Sequence, residues 1–183
     1  MLNKILIFSL ALFASDLKLV DVKKQDFSFL IEMPYTHSDR CFLRTEAAEA
    51  LVRAQKVFQM TGNRLKLLEC YVPEIVGKKT LSDRKKKGIG FDFETYFNRA
   101  GAVAVSLVDG QGRELIFPGT SYSGKKQRFS SLQEAKAAQA NVVKLRAVMK
   151  REGFEAYPQV PWFFVYQGSK EWPFLNIPFS EIP

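Results

Sequence analysis

Two stretches with a helical repeat stand among stretches with a repeat of two, and that mixture decides what this chain can fold into. Over 45–61, Ala47, Leu51, Ala54 and Phe58 fall on one face of a helix, with Thr45 as its cap and Gly62 as its stop. Over 132–152, Ala135, Ala138, Val142, Leu145 and Met149 form a second apolar stripe. Ser131 and Glu134 make a capping box before it, and Gly153 ends it. Between the two, residues 65–72 read as a strand running to Pro73, and Ile89, Phe91 and Phe93 alternate with polar positions as a second strand. Ala102–Val108 and Arg113–Phe117 flank Asp109-Gly110, a strong hairpin signal. Trp162–Tyr166 reads as a buried strand, and the tail with Pro173, Pro178 and Pro183 as an extended surface segment. Helices and strands are segregated rather than strictly alternating. The expected class is therefore α+β, with a central, mostly antiparallel sheet and flanking helices.

With 183 residues, the chain has the length of one globular domain and can build a core without a metal or a disulfide. Aromatic residues reach 13%, which excludes a disordered chain. The first fourteen residues fit a short secretory signal peptide, with one Lys, about ten apolar residues and Ala14 before the cut. The competing reading is a buried first element of a cytosolic domain. The apolar run is too short for a stable membrane anchor. The expectation is a leader over 1–14 and a single domain over 15–183, periplasmic or secreted. Cys41 and Cys70 suit one disulfide outside the cytosol, or two buried thiols; the sequence leaves both open.

Lys and Arg number 27 against 19 Asp and Glu, a net charge of +8. That favours anionic partners. Nucleic acid is not expected, because the basic residues do not interleave with aromatics. The basic stretch 77–88 reads as a loop. The single histidine, His37, limits every metal or general-base scheme.

Four segments in order resemble the VanX-type D-alanyl-D-alanine dipeptidases, which are zinc peptidases. They are 40–51, which resembles the family's first helix; Leu65–Pro73, similar to the strand ending in a Tyr-Arg-Pro turn; Lys85–Asp92, similar to His-x-x-Gly-x-Ala-x-Asp; and Gly119–Tyr166, with the Pro-rich tail behind it. The resemblance covers about 20–180 and implies a zinc D-Ala-D-Ala peptidase-like fold. Tyr71, Pro73, Gly88, Gly90, Trp162 and Tyr166 match the family and are expected to be structural first.

The departures fall on the chemistry. The family's first zinc-binding His is Lys85 here, its Asp is kept as Asp92, and its second His is Phe163. The catalytic Glu is Val160, and the charge-stabilising Arg is Val72. A family Asp and Glu in the loop after Gly119 appear as Ser123 and Gln127, while Arg128 is kept. Hydrolysis through zinc needs three protein ligands and a carboxylate base. Protonated Lys and Phe offer no lone pair.

The resemblance therefore implies a pseudoenzyme without zinc. Its degenerate metal site is Lys85, Asp92 and Phe163, and its degenerate catalytic positions are Val72 and Val160. A ligand surface would remain over Tyr71, Lys85, Asp92, Ser123, Arg128 and Trp162, with Lys85 neutralising Asp92. The expected partner is a cell-wall peptide or a protein. Three alternatives stand: an active dipeptidase or peptidoglycan hydrolase with a rearranged site; a hydrolase using Ser121, Ser123, Ser130 or Ser131 with a Lys base; and an assembly protein whose pocket is packed shut.

Overall fold

The computed structural model describes residues 18–26, 28–34, 36, 38–74, 76 and 94–183. The leader over 1–14, His37, the basic loop, the expected strand at 89–93, and Lys85, Gly88, Gly90 and Asp92 all lie outside the described residues.

The fold is α+β, built on a five-stranded mixed sheet in the order β2-β4-β5-β7-β6. The strands are β2 (Leu30–Ile31), β4 (Asn63–Glu69), β5 (Ala102–Asp109), β6 (Phe154–Ala156) and β7 (Phe163–Tyr166). β2 runs parallel to β4 and every other pairing is antiparallel. A separate two-stranded piece pairs β1 (Leu19–Asp21) with β3 (Phe42–Arg44).

β5 is the central strand, and its run Ala-Val-Ala-Val-Ser-Leu-Val is buried along its whole length. A continuous apolar strand of this kind is covered on both faces. Val103, Val105 and Leu107 point to one core, where Ala47, Leu51, Ala54 and Phe58 of the helix Thr45–Met60 meet Leu145 and Met149 of the helix Leu132–Arg151. Ala102 and Ala104 point to the opposite face, in a second cluster with Phe163 and Val165 of β7. Short helices span Val22–Gln25 and Glu94–Phe97, and bury Val22 and Phe97 in the two clusters.

Both long helices lie where the repeat put them. Gly62, at φ +70°, and Gly153, at φ +90°, take the left-handed conformation that stops them. Ser131 Oγ accepts from Glu134 N at 3.1 Å. The reciprocal half differs from a capping box, because Glu134 Oε2 accepts from Ser130 N and Oγ instead.

Thr45 is not the cap. β3 runs straight into the helix, so Arg44 takes that place without a side-chain bond, and Thr45 Oγ1 donates to Lys18 O. The expected strand at 65–72 starts and ends earlier, as β4. Beyond Glu69 the chain leaves the ladder, because Cys70 is bonded to Cys41 (Cα–Cα 5.4 Å) and Tyr71 N donates to Phe42 O. The hairpin's return arm shrinks to the bridge Val108↔Glu114 and the bond from Leu115 N to Leu107 O. β7 already occupies the rest of that side of β5, from Ala102 to Ala104, so the arm turns away.

The tail is not only a surface segment. It forms 3₁₀ turns at Ser169–Glu171 and Phe179–Glu181, and it buries Leu175 and Ile182 beside Phe42, Tyr71 and Ala100.

Candidate functional site

The small side chains of Ala102 and Ala104 leave room on the sheet's second face. Ala104 stands directly opposite Phe163, and Ala102 opposite Val165. Phe163 fills the space with its ring edge-on to Phe97 at 5.3 Å and to Tyr157 at 5.8 Å. Val72 arrives from the end of β4, Val160 from the loop before β7, and Tyr122 and Trp162 close the side. Val72, Val160 and Phe163, three positions far apart in the chain, thus share one apolar cluster. Val72 and Phe163 are fully buried, and Val160 is 6% exposed.

The polar group next to this cluster is Asn98. It is 7% exposed, and its Nδ2 donates to Val72 O. Sequence reasoning passed it over, because its place is set by a contact with Val72, 26 positions away.

Of the other expected residues, Ser123 and Trp162 line one cavity beside this cluster, whereas Tyr71 lies elsewhere. The Tyr71 hydroxyl accepts from Ile177 N at 2.7 Å and donates to Ile177 O at 3.0 Å, so it latches the tail. Burial pushes its pKa above the ordinary phenol value, and the Ile177 backbone offsets part of that rise. Trp162 is buried against Tyr122, with ring centroids at 4.9 Å, and its Nε1 donates to Thr120 O at 2.8 Å. Ser123 is exposed, and its hydroxyl meets that of Ser121 at 3.1 Å. Arg128 is exposed.

The serines of the alternative hydrolase reading are otherwise engaged. Ser130 and Ser131 serve the helix cap. Glu134, which accepts from Ser130, is held below the usual carboxylate range by the Ser130 N–H first and the Ser130 hydroxyl second. That makes it a weak base.

Sequence reasoning also missed Glu69, a fully buried carboxyl at the end of β4. It accepts from Thr36 Oγ1 at 2.8 Å and from the Tyr122 hydroxyl at 3.2 Å.

Beside the closed cluster the same face of the sheet opens into a cavity of about 300 Å³. Lys66, Leu68 and Ser106 form its floor, the chain from Glu114 to Gln127 runs over it, and Trp162 forms one wall. Lys66 Nζ is paired with both Glu32 and Glu114. Burial alone would lower its pKa, but the hydrogen bonds that it donates to Glu32 and Glu114, together with their negative charges, outweigh burial and raise it. Lys66 therefore stays protonated and is a poor general base for any neighbouring serine.

No known protein family and no curated protein matches this chain. Among the described residues, no three His, Cys, Asp or Glu side chains come together to hold a metal ion. The described positions that the resemblance assigns to zinc chemistry do not fit the metal, because Phe163 and Val160 carry no donor atom.

Proposed function

We propose that this chain is a non-catalytic protein of the D-alanyl-D-alanine dipeptidase type, exported from the cytosol, that binds a cell-wall peptide or a protein partner instead of cleaving one. The observation that carries the reading is the company of Val72, Val160 and Phe163. These are the positions where the resemblance calls for the charge-stabilising Arg, the catalytic Glu and the second zinc-binding His. They meet in one apolar cluster from three separate segments.

An uncompensated charge or an unpaired ligand in that cluster would be costly, whereas the apolar set gains from its burial. With Lys85 at the first His and Phe163 at the second, only Asp92 of the zinc motif's three ligands is kept. The Cys41–Cys70 bond agrees with an oxidising compartment.

The test is elemental analysis of natively purified protein together with D-Ala-D-Ala hydrolysis. The expected result is zinc far below one equivalent and no release of D-alanine. Near-stoichiometric zinc together with hydrolysis would overturn the proposal.

A further inference from the structure

The open cavity has a chemistry of its own, set by strand register. Lys66 and Ser106 are direct cross-strand partners on β4 and β5, and alternation puts both on the face that carries Leu68. Ser106 is only 4% exposed, and its hydroxyl has no hydrogen-bond partner within the protein among the described residues. Buried hydroxyls are nearly always paired, so an orphan on a cavity floor marks a place where something else supplies the partner.

The Lys66 ammonium has three donors and spends two on Glu32 and Glu114. Its third donor and Ser106 stand on one floor; Ser106 Oγ is covered as it stands, and a χ1 turn toward the cavity would let both groups serve one acceptor atom. The charges around them decide which acceptor. Glu32 and Glu114 are balanced by Lys66 and by Lys125 on the rim, so the lining is neutral among the described residues. An incoming carboxylate would meet two like charges beside Lys66, and an incoming ammonium would meet Lys66 itself. The walls beyond are apolar, with Trp162 and Phe117. The volume is at the small end of ligand sites, on the order of 300 Å³ and upward.

We infer that this cavity binds a neutral amide-bearing ligand with an apolar side group. The amide carbonyl accepts from Ser106 and Lys66, and the apolar group lies against Trp162 and Phe117. The inference does not rest on the loss of catalysis proposed above. Zinc content and hydrolysis decide that reading, while ligand charge decides this one.

Three probes separate the possibilities: N-acetylleucinamide (neutral), its near-isostere N-acetylleucine (a carboxylate) and the smaller leucinamide (an ammonium in place of the acetamido group). Each is titrated into the full chain, and the Trp162 indole and the Lys66–Leu68 and Val105–Leu107 amides are followed by NMR. The neutral probe should give saturable shifts, with both charged probes about fivefold weaker or more. Ser106→Ala deletes an orphan hydroxyl, so it should melt no lower than the parent and weaken the neutral probe about fivefold. Should that variant fail to fold, the charge series on the parent chain decides alone. Equal affinity for all three probes, no saturable shift at the solubility limit, or unchanged binding by folded Ser106→Ala (a hydroxyl serving solvent only) would each overturn the inference.

Discussion

Replacing Cys41 and Cys70 together by Ala removes the covalent tie between the segment before β3 and the segment after β4. The two residues are 29 apart in sequence. The chain-entropy relation for a loop of that length gives about 12 cal/mol/K, or about 3.5 kcal/mol at 25 °C. Both positions are buried, at 0% and 1% exposure, so some sulfur packing is lost as well. For a protein of this size each kcal/mol moves the melting temperature by roughly 2–4 °C, so the double variant should melt about 7–14 °C lower.

The assay is circular-dichroism melting of parent and variant at neutral pH, each with and without a phosphine reductant. The parent should fall to the variant's value on reduction, and the variant should not respond. The bridge sits next to Tyr71, whose N–H donates to Phe42 O at 3.1 Å, so the Tyr71 amide should lose exchange protection in the variant. Two reactive thiols in denatured, unreduced parent would refute the reasoning. So would a parent melt that does not move once its thiols are counted as reduced.

Tyr71→Phe removes both bonds to Ile177 and should cost about 1–2 kcal/mol, with limited proteolysis cutting first in the 174–183 tail; an unchanged cleavage pattern would deny the latch. Gly101→Ala would place a Cβ 2.2 Å from Ser169 Cβ and 2.9 Å from the Trp172 ring, and should destabilise by about 1–3 kcal/mol in a urea melt. Adding Ser169→Gly should recover part of that loss, and a purely additive double variant would rule out the clash. At the hairpin turn, the Arg113 N–H first, then its guanidinium, and the Gln111 N–H hold the Asp109 carboxyl below its ordinary value. Its contribution is therefore complete above the ordinary Asp pKa and lost as pH falls through the lowered one. The Gln111 and Arg113 amide shifts should titrate with a midpoint below the ordinary Asp value, and a midpoint at or above it would count against the turn.

Local repeats carried as much of this fold as local repeats can. The helix Leu132–Arg151 was legible because its stripe and its Ser131 cap lie within one window, and β5 because seven of its eight residues form one buried run. β2 was invisible for the opposite reason. It has two residues, and what makes it a strand is parallel pairing with Lys66 and Leu67 more than thirty positions away. Gln55 is a polar residue within the first helix. It is fully buried, because Oε1 accepts from Leu65 N at 2.7 Å and Nε2 donates to Ser28 Oγ at 2.8 Å, stitching that helix to β4. The Tyr71 latch joins residues 106 apart, which no window spans.

The candidate site divides along the same line. The resemblance grouped Val72, Val160 and Phe163 as candidate positions, and the three share one cluster. Why they are apolar together follows only from register, since Ala104 opposite Phe163 leaves the space that an aromatic ring then fills. The cavity could not be read at all, because its floor depends on Lys66 meeting Ser106 across two strands. Ser106 reads in sequence as the one polar interruption of an apolar strand, which usually marks a solvent-facing position. Here it is 4% exposed, on a face whose neighbouring positions are closed by aromatic rings. One strand thus supports a sealed cluster at its Ala102 end and an open polar floor at its Ser106 end. The step between them is where Trp162 stands, packed in the first and lining the second. A ligand in the cavity would therefore press on the same ring that helps hold Phe163 in place, which ties occupancy of the open site to the packing of the closed one.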